Sequence, residues 1–349
     1  MDGYEALASL PVSITDCELR RLEGETTSDF TRVSTEIRLS GKGHVGVGED
    51  VTYETSHHDA LQRTGPPPLE GECDVGTFSE IVGDLDLFPD DEPDREEFRH
   101  YRRWGFESAA LDLALKQADE TLASALDASY DPVRFVISTR LGEPPTADRV
   151  ETLLAEDPAR EFKLDATAEW DDDLVRTLAD TDAVRTVDLK GHYEGTDVDN
   201  PGDPELYRRV LDGFPDAVIE DPAVTDETEP VLADEWDRIA WDAPVHDVSD
   251  MAELPETGWL NVKPSRFGSV ESLFEAFEHC ASAGIDVYLG GQFELGAGRE
   301  HLHALASLFC PDAANDVAPR GYNDPEYDGS VPASPLEPPR SPDGLEWSG

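Results

Sequence analysis

The sequence predicts an α/β protein built around a closed barrel of parallel strands, preceded by a mixed α+β domain. From about residue 132, short apolar strands alternate with helical stretches about seven times, a pattern that requires a parallel sheet with helical crossovers. No dinucleotide-binding fingerprint accompanies this alternation, which favours a closed barrel over an open sheet. The third observation is lysine usage: only five lysines stand against 22 arginines, and three of the five lie in or just beyond predicted barrel strands.

The first domain is expected over residues 1–130, as strands followed by helices. Alternating or β-branched residues predict strands at 12–21, 33–39 and 45–53. The run Gly65-Pro66-Pro67-Pro68 breaks any regular element, and helical spacing of apolar residues predicts helices at about 76–87 and 95–127. Residues 41–46 fit the pattern G-x-G-x-x-G, but a strand follows them, so they predict a hairpin and not a nucleotide-binding turn.

The barrel is expected over residues 131–320. Its predicted strands and helices alternate as 133–139, 146–155, 161–166, 171–180, 184–189, 204–213, 217–219, 229–237, 239–243, 248–254, 259–262, 270–283, 287–293 and 298–309. Residues 321–349 are rich in Pro, Gly, Ser and acidic residues. They predict an extended tail that packs back on the first domain.

The net charge of −51 is extreme, and the acidic residues are spread along the whole chain. Such a surface repels itself at low salt and is tolerated where the Debye length shrinks to about 3 Å near 1 M salt, so we expect a cytoplasmic protein of a salt-loving organism. No basic stripe is present to meet nucleic-acid phosphates, and no apolar run approaches the ~20 residues of a membrane span. Neither a nucleic acid nor a membrane is therefore an expected partner.

The cysteines and the paired histidines are expected to be structural. Cys17, Cys73, Cys280 and Cys310 have no metal-binding spacing and suit small buried apolar positions. His301 and His303 are two apart on a predicted helix, which is a poor geometry for chelating a metal.

The ends of the predicted strands carry the residues with usable chemistry, because the carboxyl ends of barrel strands meet at one mouth. Lysine can lose its proton when it is desolvated and can then act as a base, so the retained Lys163 and Lys263 point to an enzyme. Side chains alternate along a strand, which places Lys163 and Asp165 on one face of the second barrel strand. Asp188 and Lys190 share a face at the end of the third.

Three acidic residues, Asp188, Glu220 and Asp242, follow three consecutive predicted strands. A few carboxylate oxygens with room for water or substrate suit an octahedral Mg²⁺ ion, and Lys163 and Lys263 would face each other across it. This arrangement suits removal of the proton next to a carboxylate, because the metal would stabilise the enolate while a lysine takes the proton.

The order and spacing of these segments resemble the enolase superfamily, on its muconate-lactonizing-enzyme and o-succinylbenzoate-synthase side, over nearly the whole chain. The matching segments are Gly46-Val47-Gly48-Glu49 (G-x-G-E), Phe162-Lys163-Leu164-Asp165 (K-x-K), Val187-Asp188-Leu189-Lys190 (D-x-N), Ile219-Glu220-Asp221-Pro222 (I-E-x-P), Ala240-Trp241-Asp242 (A-x-D-E), Asn261-Val262-Lys263-Pro264, and Glu294-Leu295-Gly296-Ala297-Gly298 (E-S-G-I-G).

The resemblance implies a modified TIM barrel, (β/α)7β, with an N-terminal α+β capping domain whose specificity loop falls at 26–32. It implies one Mg²⁺ ion bound by Asp188, Glu220 and Asp242, Lys263 as a general acid/base, and Glu294 as a residue that orients or polarises a small carboxylate substrate. It also allows a homo-oligomer.

Three positions depart from the resembled motifs. Asp165 replaces the second lysine of K-x-K, Lys190 replaces the asparagine of D-x-N, and Ala243 replaces the glutamate after the third acid. Either Lys163 takes over as base, or Asp165 is the partner, or one base is enough. Lys190 can alternatively form a salt bridge with Asp165 or Asp188.

The loss of an opposed lysine favours a lyase acting by syn-elimination, or a cycloisomerase, over a racemase. The alternatives are an epimerase or racemase of the same superfamily, and a degenerate barrel that binds a small acid without turnover. A barrel glycosidase would need two carboxylates ~5–10 Å apart without a metal, and it gives the lysines no role.

Overall fold

The computed structural model describes residues 3–28, 30–89, 92–193, 195–196, 198–325, 327 and 329–347. Its first region combines two small antiparallel sheets with helices. The elements are α1 (Gly3–Ala8), β1 (Pro11–Ile14), β2 (Asp16–Glu25), β3 (Thr31–Gly41), β4 (His44–Asp50), α2 (Thr55–Thr64), β5 (Gly71–Asp74), α3 (Val75–Gly83), α4 (Glu97–Ala118) and α5 (Leu122–Ala125). Strands β2, β3 and β4 form one sheet, and β1 pairs with β5.

This region differs from the prediction in several elements: α1 and β5 were not predicted, and the helix predicted at 95–127 is divided into α4 and α5. The single strand predicted at 12–21 is two strands, because β1 pairs with β5 while β2 pairs with β3. Helix α2 was not predicted, and its buried face consists of His57, His58, Ala60 and Leu61. Two histidines on a buried face conceal the apolar periodicity by which a helix is recognised.

Strand β4 lies directly on helix α4. Residues 41–46 form the predicted hairpin, in which Lys42 and Gly43 turn the chain with φ values of 49° and 86°. Beyond the turn, a Cβ on Gly46 would lie 2.2 Å from the carbonyl oxygen of Ala109, and a Cβ on Gly48 would lie 2.0 Å from that of Gly105. The two glycines therefore permit the close approach of strand and helix.

The second region alternates strands and helices, as predicted. Its elements are β6 (Ile137–Thr139), α6 (Asp148–Glu156), β7 (Phe162–Asp165), α7 (Asp172–Ala179), β8 (Val184–Asp188), α8 (Pro204–Gly213), β9 (Val218–Glu220), α9 (Glu229–Leu232), β10 (Ile239–Trp241), α10 (Val248–Met251), β11 (Trp259–Val262), α11 (Pro264–Phe267), α12 (Val270–Ala283), β12 (Asp286–Leu289) and α13 (Ala297–Phe309), with 3-10 turns at Trp236–Arg238 and Arg320–Asn323. Within the described residues, β6 to β12 form one parallel sheet of seven strands in chain order.

Two residues after α13 close this sheet into a barrel. Asn315 forms a parallel bridge to Phe135, and Asp316 forms one to Gly290. The amide of Val136 donates to the carbonyl of Asn315 at 2.8 Å, and the amide of Asp316 donates to the carbonyl of Leu289 at 2.8 Å. This very short eighth strand joins β6 to β12, so the carboxyl ends of the strands surround one mouth.

The tail runs back along α4. Gly344 bridges Thr121, the amide of Leu345 donates to Asp112 at 2.8 Å, and Lys116 pairs with Glu346 at 2.6 Å. The final segment is thus fixed to the helix that precedes the barrel.

The cysteines are free, with Cys280 and Cys310 buried and Cys17 and Cys73 half-buried. Among the described residues, no helix combines the length and the apolar character that crossing a bilayer requires.

Buried histidines on α13 should make stability depend on pH. Burial lowers the pKa of His301 to about 3 and that of His303 to about 4, whereas an unfolded chain binds these protons near pH 6.5. Stability from the neutral rings is therefore complete above pH 6.5 and is lost as the pH falls towards 4, by at most about 1.4 kcal/mol per pH unit for each histidine. Denaturant unfolding at pH 7 and pH 5.5 measures this loss, and a His301→Gln/His303→Gln variant should show a flatter dependence. Equal slopes would contradict the prediction.

Candidate active site

The mouth of the barrel contains a cavity of about 850 Å³. In the described chain its charged lining consists of Arg95, Arg140, Lys163, Lys190, Lys263, Arg266 and Arg299, against Glu54, Glu97, Asp165 and Asp316. Seven basic residues against four acidic ones is the reverse of the whole chain, which has 27 basic and 78 acidic residues. The basic residues are thus concentrated at this mouth, where most of them pair with carboxylates of the protein.

The first region covers this mouth. Ser28 and Phe30, from the predicted specificity loop at 26–32, line the cavity together with Tyr53; Asp29 of that loop lies outside the described residues. The ring of Phe30 meets that of Phe293 edge to face, with centroids 5.3 Å apart. The loop therefore contributes to the wall of the site.

The acidic strand ends lie at the same level around the mouth. In the ladder, Asp165 is opposite Asp188, Asp188 is opposite Glu220, and Glu220 is opposite Ala240, two residues before Asp242. Asp188, Glu220 and Asp242 are completely buried below the cavity. The structure thus brings the three predicted metal ligands together on adjacent strands.

Lys163 lies among three carboxylates. Its ammonium is 2.6 Å from Glu220, 3.1 Å from Asp316 and 3.5 Å from Asp188. Burial alone would lower the pKa of Lys163, but the carboxylates outweigh it and raise the pKa well above its usual range. Lys163 is therefore held as a cation, which is the opposite of what a base needs.

Both carboxylate oxygens of Glu220 are hydrogen-bonded, and Lys163 takes only one of them. Its second oxygen accepts hydrogen bonds from Asn261, at 3.2 Å, and from the hydroxyl of Tyr288.

Lys190 engages both oxygens of Asp188. Its backbone amide donates to one at 3.0 Å, and its ammonium donates to the other. The ammonium also lies 3.6 Å from Asp165, so both salt bridges named as alternatives are present. Burial would raise the pKa of Asp188, but Lys190 and Lys163 lower it to about 2.

Lys263 contacts Asp242 on the other side of the mouth. Its ammonium is 2.8 Å from one carboxylate oxygen, which also accepts from the hydroxyl of Tyr193 at 3.1 Å. The other oxygen of Asp242 lies 3.3 Å from the guanidinium of Arg266. Burial would raise the pKa of Asp242, but Arg266 and Lys263 lower it.

Asp221 fixes the position of Asp242. Its two oxygens accept from the backbone amides of Asp242 and Ala243, each at 2.8 Å. Burial, followed by the charges of Asp242 and Asp188, raises the pKa of Asp221 to about 7. Its left-handed backbone, with φ of 48°, is uncommon for a residue other than glycine and aims the carboxylate at the next strand end.

Glu294 lies beside the cavity and acts through two neighbours that line it. Its carboxylate accepts from the amide of Gln292 at 2.6 Å and pairs with Arg299 at 2.8 Å. Glu49 of the G-x-G-E turn supports the same loop, because it accepts from the amides of Leu295, Gly296 and Gly298 at 2.7, 2.9 and 3.0 Å.

A magnesium ion would need oxygens of the three predicted ligands free to converge on it, but Asp188 and Glu220 converge on the ammonium of Lys163 instead. In the part of the chain that the structure describes, no cluster of three or more His, Cys, Asp or Glu residues is arranged to hold a metal ion. Their oxygens suit Mg²⁺ chemically, but each carboxylate faces a lysine ammonium of the protein. As arranged, these residues do not fit the ion.

Four residues of the site were missed at the sequence level: Tyr193, Arg266, Arg299 and Asp316. Arg266 had a signal, since it follows Lys263 by three residues and a single helical turn returns it to the mouth. Asp316 had none, because the strand that carries it is too short to show any alternation.

The architecture is that of the enolase superfamily. A solved structure of a superfamily member from Listeria innocua matches with a TM-score of 0.68 at 18% identity, covering 90% of this chain and 88% of that one. An N-succinylamino acid racemase from Amycolatopsis is 29% identical over 218 residues, which is 58% of this chain and 56% of the relative. An o-succinylbenzoate synthase from Geobacillus kaustophilus is 26% identical over 216 residues, 58% of this chain and 54% of the relative. The predicted superfamily resemblance is confirmed.

The chain belongs to the DUF8230 family, described as a domain of unknown function. The family's N-terminal domain model matches residues 5–125, and its C-terminal domain model matches residues 129–324. The chain spans little more than half the length of the curated relatives that it matches.

Proposed function

We propose that this protein is an enzyme that removes the α-proton of a small carboxylate and then eliminates a leaving group or cyclises the substrate. One observation supports this most: Asp165 and Lys263 both line the cavity, at the ends of β7 and β11. With the short strand at Asn315 and Asp316 counted as the eighth, β7 and β11 are four positions apart around the barrel. A carboxylate and an amine therefore face each other across the mouth.

Lys263 is the proposed general acid/base. Its ammonium has one carboxylate partner, Asp242, whereas Lys163 has three and Lys190 has two. Of the three lysines that line the cavity, Lys263 thus has the fewest ion-pair partners, which leaves its amino group the most available to a substrate. Asp165, on the opposite wall, is the proposed second proton-transfer group.

Cations of the same site would hold the substrate. Lys190 and Arg266 line the cavity and present fixed positive charge where a carboxylate gains charge as it becomes an enolate. Preorganised charge of this kind, in a site shielded from water, commonly supplies the largest part of catalysis. Glu294 acts as a positioning residue, because it holds Arg299 and the amide of Gln292.

The charge states favour elimination or cycloisomerisation over racemisation. Racemisation removes the α-proton from either face of the substrate and so needs a strong base on each. Lys163 is fixed as a cation, and a carboxylate such as that of Asp165 is intrinsically a much weaker base than an amine, so only the Lys263 face offers an amine for this step. An elimination needs one well-placed group that first accepts and then returns a proton. Magnesium, which the resemblance implies, has no part in this proposal, because the arrangement does not accommodate it.

The names of the relatives suggest which acids to test. One is an N-succinylamino acid racemase and the other an o-succinylbenzoate synthase, so succinyl-bearing carboxylates come first, followed by simple hydroxy acids and dicarboxylates. Each acid would be incubated with the full chain in D2O at about 1 M salt, where surface repulsion is screened. NMR then measures loss of the α-proton signal, with EDTA or with Mg²⁺ present. Exchange in EDTA is the expected result; bound acids without any exchange would contradict the proposal.

A barrel that binds a small acid without turnover is the second candidate. It is favoured by the internal pairing of Lys163 and Lys190, which leaves both as cations. Saturable binding of an acid, without exchange of its α-proton under any condition, is the result that this candidate predicts.

A further inference from the structure

We infer that the charge of the buried carboxylates Asp188, Glu220 and Asp242 is balanced by amino groups of the protein itself, chiefly those of Lys163 and Lys190, so that the site needs no divalent metal ion. This deepens the proposed function, on which it rests for the identity of the site. Its test, however, does not depend on turnover.

Lys163 is the central cation of this cluster. An ammonium has three N–H donors, and Lys163 has three carboxylates within 3.5 Å: Glu220, Asp316 and Asp188. The side chain is only 2% exposed. The ammonium of Lys163 therefore already occupies, as a cation, the position between these carboxylates that a metal ion would take.

Lys190 lies between Asp188 and the cavity. Its amide and its ammonium take one oxygen of Asp188 each. The side chain of Lys190 lines the cavity, whereas Asp188 is completely buried. An ion arriving from the cavity would therefore meet the ammonium of Lys190 before it reached the carboxylate.

The third carboxylate is engaged less completely. Lys263 donates to one oxygen of Asp242 at 2.8 Å, whereas the other oxygen lies 3.3 Å from the guanidinium of Arg266 and has no hydrogen bond within the described residues. A divalent ion among the three acids would thus have four protein cations as neighbours, and at short range in a medium of low dielectric constant like charges repel strongly. Charge balance is already achieved by side chains that belong to the fold.

Manganese binding, followed by electron paramagnetic resonance, tests this on the full chain after metals have been stripped. About 1 M KCl suppresses weak binding to the acidic surface. The wild-type protein should show no stoichiometric site. Lys190→Met, which removes the ammonium that covers Asp188 on the cavity side, should gain a stoichiometric site for one Mn²⁺ that the wild-type protein lacks.

Three variants make the result specific. Lys42→Met removes an exposed lysine from the β3–β4 turn and should not gain a site. Lys190→Arg keeps the charge and should not gain one either. Glu220→Gln, introduced into the Lys190→Met variant, should abolish the gained site.

One stoichiometric Mn²⁺ in the wild-type protein, lost in Glu220→Gln, would overturn the inference. If Lys190→Met does not fold, the wild type and Lys190→Arg still decide the matter, since both should lack the site. Failure of the inference is distinguishable from failure of the proposed function. If the wild-type protein exchanges the α-proton and also binds one Mn²⁺, only the inference is contradicted. If it shows no exchange and no Mn²⁺ site, only the proposed function is contradicted.

Discussion

Replacing Lys263 with alanine should abolish most of the α-proton exchange, with a loss of about 10²–10⁴-fold, the usual contribution of a general acid/base. The fold should survive, because Asp242 keeps Arg266 and the hydroxyl of Tyr193 as partners. The measurement is the rate of deuterium incorporation into an acid that the wild-type protein exchanges, alongside the unfolding midpoint of the variant.

Lys263→Arg separates proton transfer from charge. Arginine keeps a cation next to Asp242 but cannot give up a proton in a protein, so this variant should bind the acid and still lose exchange by a comparable factor. Lys42→Ala, on the exposed hairpin turn, is the control that should leave the rate unchanged. Exchange retained in Lys263→Arg would show that Lys263 acts through its charge alone, and would contradict its assignment as acid/base.

The order of elements was predictable because it depends on local pattern. Strands β7 to β11 are short, partly or wholly apolar runs, and a charged residue stands at or directly after the end of each one. The acids at Asp188, Glu220 and Asp242 could be read from this rule alone, because parallel strands in sequence order put their carboxyl ends side by side.

The partners of those acids were not predictable, because they depend on where long side chains turn after the strand ends. Lys163 pairs with Asp316, which lies 153 residues later in the sequence. Asp316 belongs to a strand that makes only two bridges. Lys190 turns back onto Asp188 from a left-handed backbone, with φ of 53°, which its residue type does not suggest. The charged residues of the site could therefore be identified from the sequence, whereas the pairing that neutralises them is visible only in the structure.

This neutralisation changes what the site can do. Three free carboxylates would attract a cation, whereas three carboxylates already paired with basic side chains of the protein do not. The same residues that predicted a metal centre thus form, in their observed pairing, the bottom of a cavity where a bound acid would meet the ammonium groups of Lys190 and Lys263.

Replacing Glu49 with alanine should destabilise the protein by about 3–5 kcal/mol, because one buried and two partly buried backbone amides would lose their acceptor and an unsatisfied buried donor costs about 1–3 kcal/mol. These amides belong to Leu295, Gly296 and Gly298 at the start of α13, while Glu49 comes from β4. The carboxylate therefore ties the first region to the barrel next to Glu294. Denaturant unfolding at about 1 M salt measures the loss.

The hairpin offers a matched control in Glu36, which lies opposite Glu49 in the β3–β4 ladder. Its carboxylate pairs with Arg38 at 3.0 Å and is partly exposed, and such pairs contribute about 0–1 kcal/mol. Glu36→Ala should therefore cost much less than Glu49→Ala. Glu49→Gln keeps one carbonyl acceptor but turns an amide donor towards the remaining N–H groups. Its loss of stability should therefore lie between those of Glu36→Ala and Glu49→Ala. Equal destabilisation by Glu36→Ala and Glu49→Ala would contradict the prediction that Glu49 joins the two regions through the amides at the start of α13.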